Sequence, residues 1–109
     1  MDKKFELTDE TIKYDGKTLY RIRALKDFGN VTKGDLGGFI EKESNLSQED
    51  NCWIYNNAKV YDSASVFNNA RIFDNAVIRN NAEIYGNTRV YDDVGFRVVK
   101  FALSQRDAK

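Results

Sequence analysis

Asn51-Cys52-Trp53-Ile54-Tyr55-Asn56 opens a run of six-residue units that continues to residue 92: NCWIYN, NAKVYD, SASVFN, NARIFD, NAVIRN, NAEIYG and NTRVYD. The second position of each unit is small: Cys52, Ala58, Ala64, Ala70, Ala76, Ala82 and Thr88. The fourth is β-branched and aliphatic: Ile54, Val60, Val66, Ile72, Ile78, Ile84 and Val90. The first is Asn except at Ser63, and the sixth is Asn or Asp except at Gly86. Side chains alternate faces along a strand, so the second and fourth positions share one side and the third and fifth the other. A small residue beside a branched one fills a narrow interior. Asn, Asp and Gly tolerate positive φ and bond their own backbone, which suits a sharp bend at every sixth residue. Period six does not fit the 3.6-residue period of a helix, and Asn-Asn corners would break one.

Three short sides make a coil of 18 residues, and stacked coils pair through parallel backbone hydrogen bonds. Residue n then lies over residue n+18, which predicts an inner ladder of Ile54, Ile72 and Val90. The inward Ile and Val residues supply most of the stability, roughly 1.5–3 kcal/mol each at ~25 cal/mol/Å².

The Ala-x-Ile/Val spacing resembles the hexapeptide-repeat superfamily. The variant Asn-Ala-x-Val-Tyr-x, preceded by Gly-Asp-Leu-Gly-Gly-Phe-Ile at 34–40 and Asn-Leu-Ser-Gln at 45–48, is similar to a group of small bacterial and phage-borne hexapeptide-repeat proteins. That resemblance implies an all-β fold, a short left-handed parallel β-helix; spacing alone does not fix the hand.

The flanks read as caps on a single domain. Residues 1–25 are expected to hold an N-terminal β-hairpin, with Asp15-Gly16 turning between two alternating runs. Residues 26–50 are polar and glycine-bearing yet keep Val31, Leu36, Ile40 and Leu46, an irregular first coil. Residues 51–93 form the repeat, and 94–109 a C-terminal capping segment with a polar tail.

The chain has 109 residues with 17 basic and 17 acidic side chains, so composition favours neither nucleic acid nor an anionic membrane. It lacks an apolar run of membrane-spanning length and a signal-peptide core, and its single cysteine cannot make an internal disulfide. The expectation is a cytoplasmic protein. The sequence has no histidine, the commonest general base and metal ligand. The best-known members of the superfamily that the chain resembles are acyltransferases whose usual base is a histidine. The reading is therefore of a non-enzyme without catalytic residues, cofactor or metal.

Only the third and fifth positions remain for function. Sorting by 18 gathers Trp53, Tyr55, Arg71, Phe73, Arg89 and Tyr91 on one face. Aromatic residues and Arg are enriched in binding hot spots, so this face is the candidate protein-binding surface. The structural alternative is that the rings stack between coils and only stabilise them. Phe96, Val98, Val99, Phe101 and Leu103 are candidates for self-association. Gly34 to Gly38 lack the GxxxxGK[ST] pattern of a phosphate loop and read as a tight bend into the first coil. Cys52 reads as a buried stand-in for Ala.

The leading expectation is a rigid solenoid that self-associates, as a homodimer or higher oligomer, or binds a partner protein; apolar coil ends favour symmetric pairing. The phage-borne resemblance adds a version in which the partner is a blocked host defence protein. An acyltransferase-like enzyme is the alternative from another class.

Overall fold

In the computed structural model the described residues are 3–91 and the strand at 100–102. Strand β1 (Phe5–Tyr14) and β2 (Lys17–Ala24) form an antiparallel hairpin. Asp15 and Gly16 take φ of 54° and 75°, the paired positive values that a two-residue turn matched to strand twist requires. Strand β3 (Leu36–Ile40) pairs antiparallel with β2 on one edge and parallel with β5 (Lys59–Val60) on the other. A short 3₁₀ turn follows at Glu43–Asn45.

The repeats give two- and three-residue strands: β4 (Trp53–Ile54), then β5, β6 (Ser65–Val66), β7 (Arg71–Ile72), β8 (Val77–Ile78), β9 (Glu83–Tyr85) and β10 (Arg89–Val90). They pair in parallel in three columns, β4-β7-β10, β5-β8 and β6-β9. Within each column partners are 18 residues apart, as in Ile54 opposite Ile72 and Ile72 opposite Val90. The second- and fourth-position residues form one continuous buried core, with Thr88 buried as its polar member. At the sixth position, every residue from Asp50 to Asn80 has φ between 59° and 64°, and Gly86 has 68°. Their side chains also bridge layers: Asn56 Oδ1 accepts the Asp74 N–H at 3.0 Å, Asn68 Oδ1 the Gly86 N–H at 3.0 Å, and Asp62 Oδ2 the Asn80 N–H at 3.0 Å. Glycine would satisfy the bend, but only Asn or Asp also supplies the acceptor.

The chain is thus all-β, but its sheets are mixed rather than uniformly parallel. The N-terminal hairpin is continuous with the repeat. Through β3 it joins the β5-β8 column in a single five-stranded sheet, ordered β1-β2-β3-β5-β8. The reason lies in Gly37 and Gly38. A Cβ on Gly37 would fall 2.6 Å from the Ile54 carbonyl oxygen and 2.8 Å from Trp53 Cζ2. A Cβ on Gly38 would collide with the Ala58 carbonyl oxygen. Bare backbone therefore lets β3 lie directly on the first two repeat units. The bend read at 34–38 is confined to Gly34, whose φ is 95°; Gly37 and Gly38 are strand.

At the far end, β11 (Lys100–Ala102) pairs parallel with β9. Phe101 lies opposite Ile84, one residue short of the 18-residue step.

Candidate interaction face

The outward positions do not share one fate, because the hairpin and its return loop lie over part of the repeat. Trp53 is only 1% exposed. Phe5 from β1 meets it edge-on at 6.4 Å and Phe28 at 5.2 Å, while the missing side chain of Gly37 makes room for its ring. Its expected place on an open binding face is corrected: Trp53 anchors the N-terminal segment to the core. Tyr61, also outward by position, is buried under the hairpin tip. There Tyr14 packs edge-on at 5.9 Å and the Tyr61 hydroxyl donates to Asp15 Oδ2 at 3.1 Å. Arg21 fastens the same side, donating to Glu10 and to the Gly37 carbonyl, with its guanidinium over the Phe39 ring.

The rest of the predicted face stays together. Tyr55 and Phe73 stack at 4.7 Å and 14°, and Phe73 and Tyr91 at 4.8 Å and 12°. Tyr55 and Phe73 are half-buried, whereas Tyr91 is 51% exposed. Arg71 and Arg89 face each other across the parallel pair β7–β10. Arg71 is partly covered by the loop at Gly29, and its Nε is buried without a hydrogen-bond partner; Arg89 is exposed. Burial pushes the Tyr55 phenol upward, and the neighbouring Arg71 and Arg89 charges oppose that rise. A shorter stack, Phe67 on Tyr85 at 5.2 Å, lies on another column.

The self-association candidates Phe96, Val98, Val99 and Leu103 lie outside the described residues, and Phe101 is described only through the register of β11.

In sequence, Lys3-Lys4 looks like a solvated start, yet Lys4 is not at the surface. It is 1% exposed. Its ammonium donates to the carbonyls of Cys52 at 2.8 Å and of Glu49 and Asp50 at 3.2 Å each, and lies 3.3 Å from Cys52 Sγ. Phe28 covers it from one side. Lys4 thus satisfies the carbonyls that the turn at 49–52 leaves without strand partners. Burial pushes the Cys52 thiol up, against the pull of Lys4. A thiol that is fully buried and resists ionisation reacts slowly. A disulfide reagent should therefore leave Cys52 unlabelled in buffer and label it promptly in denaturant; fast labelling of the folded chain would contradict this placement.

Among the described residues there is no cluster of three or more His, Cys, Asp or Glu able to hold a metal ion, and no helix long and apolar enough to cross a membrane.

These features define a class: an all-β protein with hexapeptide periodicity that carries a partly exposed aromatic-arginine strip. No family model matches the chain. Over 38 residues, 35% of its length, it is 50% identical to the protein named "Uncharacterized acetyltransferase YdcK" of Escherichia coli (strain K12). The matched stretch spans 12% of that relative.

Proposed function

We propose that the chain is a short left-handed β-helix of the hexapeptide-repeat superfamily, acting as a non-catalytic protein-interaction module. The 18-residue register in the three repeat columns and the positive-φ bend at each sixth position support the coiled repeat, and the hand follows from the resemblance alone. The functional reading rests on the ladder of Tyr55, Phe73 and Tyr91 beside Arg71 and Arg89. The hairpin covers Trp53 and Tyr61, whereas Arg89 and Tyr91 are exposed and Tyr55, Arg71 and Phe73 half-buried. Self-association through the coil end near 94–103 is the simplest version, and capture of another protein by the ladder is the second. A blocked host defence protein is one such partner.

Tyr91→Ser separates function from stability. It removes one ring stack at the exposed end and should cost about 0.5–1.5 kcal/mol, measured by urea unfolding. In affinity capture it should abolish a partner that the wild-type chain retains. Light scattering across micromolar concentrations should show a mass above the monomer. A monomer throughout, together with no ladder-dependent partner, would overturn the module reading.

The acyltransferase-like alternative draws on the match to the acetyltransferase-named relative. Against it stands the absence of histidine. Calorimetric titration with acetyl-CoA decides it: saturable micromolar binding would favour the enzyme.

A further inference from the structure

The two arginines of the ladder occupy an unusual position. In a parallel pair, neighbouring strands lie about 4.8 Å apart. Arg71 and Arg89 therefore set two like charges directly opposite each other, an arrangement that destabilises a sheet unless an anion intervenes. Elsewhere the chain pairs such groups: Arg21 meets Glu10, Arg23 meets Glu6, and Lys17 meets Asp62 at 3.1 Å. Among the described residues, neither Arg71 nor Arg89 makes an ion pair, and Arg71 Nε lacks any acceptor.

The rings beside them sharpen the chemistry. Because Tyr55, Phe73 and Tyr91 are stacked face to face, their π faces are mostly used against one another. What remains toward solvent is ring edge, which carries the positive end of the aromatic quadrupole. Two arginine charges beside the ring edges, which include the hydroxyls of Tyr55 and Tyr91, combine cationic, hydrogen-bonding and apolar contacts in one strip. We propose that this strip binds an acidic segment of a protein partner, with carboxylates on Arg71 and Arg89 and the intervening apolar side chains against the ring edges. Planar guanidinium groups take carboxylates in a two-pronged geometry. Nucleic acid fits less well, since base stacking needs free ring faces, and the chain carries no net positive charge. The inference rests on the interaction-module reading and names the chemistry of its partner. It also implies that ladder-to-ladder pairing of two copies is unfavourable, because four arginines would converge.

The test uses the full chain and a short fluorescein-labelled peptide of alternating glutamate and valine, followed by polarisation. A lysine-valine peptide and a short oligothymidylate serve as comparisons. The wild type should bind the glutamate peptide, more weakly as salt rises, and not the lysine peptide. The double variant Arg71→Gln with Arg89→Gln should bind roughly tenfold or more weakly, with an unfolding midpoint no lower than that of the wild type. No binding by the wild type, equal binding by the variant, or arginine-dependent preference for oligothymidylate would each overturn the proposal. If self-association or ladder-dependent capture persists while the glutamate peptide fails, the module reading stands and the acidic partner falls.

Discussion

Aspartate in place of Ile72 should leave the chain without a cooperative unfolding transition. Ile72 is fully buried in the central strand of its column, with Ile54 on one side and Val90 on the other. The substitution loses roughly 1.5–3 kcal/mol of apolar burial. It also places a carboxylate where the surrounding side chains are Ile, Val and Ala, a cost of several kcal/mol more. Together these approach the total stability of an ordinary domain, about 5–15 kcal/mol. Circular dichroism against temperature should show no sigmoidal loss of strand signal. Ile72→Val is the matched control, keeping the shape and costing about 0.5–1.5 kcal/mol. A sharp transition for the aspartate variant would mean that position four does not face a core.

The second large effect belongs to Gly38. Its missing side chain lets β3 lie against the second repeat unit, with the Phe39 N–H donating to the Ala58 carbonyl at 2.9 Å. An alanine there would drive a methyl into that same carbonyl and to 2.5 Å from Ile54 Cγ2. Overpacking of a rigid site costs typically 1–3 kcal/mol, and the backbone obstacle puts Gly38→Ala at the upper end, about 3 kcal/mol. At ~4–8 °C per kcal/mol for a domain of this size, the midpoint should fall by about 12–24 °C. Gly34→Ala makes the comparison: its Cβ meets nothing within 4 Å, so only the positive φ is penalised, about 1 kcal/mol. Equal losses at the two glycines would show that close packing at β3 does not hold the hairpin to the repeat.

These two residues also mark what the sequence can and cannot disclose. Ile72 is legible because a period of six repeats its environment along the repeat, and agreement between copies reveals the role. The bends at Asn56, Asp62, Asn68, Asp74 and Asn80 are legible for the same reason, and the Asp15-Gly16 turn because its chemistry is local. Gly37 and Gly38 occur once, and their function depends on which surface β3 meets. The covering of Trp53 and Tyr61 is likewise a long-range event: their spacing places them outward, and only the path of the hairpin buries them. Lys4 carries no signal at all, since a lysine that caps buried carbonyls looks in sequence like one in water. Trp53 accordingly leaves the candidate face, while Tyr55, Phe73, Tyr91 and the two arginines stay together because they obey the period.

The proposed binding role requires that Arg71, Arg89 and the exposed end of the stack at Tyr91 contribute little to stability, although Tyr55 packs against the core. Thermal unfolding of the triple variant Arg71→Gln, Arg89→Gln and Tyr91→Ser tests it most directly. Relief of the arginine pair offsets part of the lost stack, so the midpoint should stay within about 10 °C of the wild type. A collapse comparable to that of Ile72→Asp would make the ladder a structural element and contradict the account.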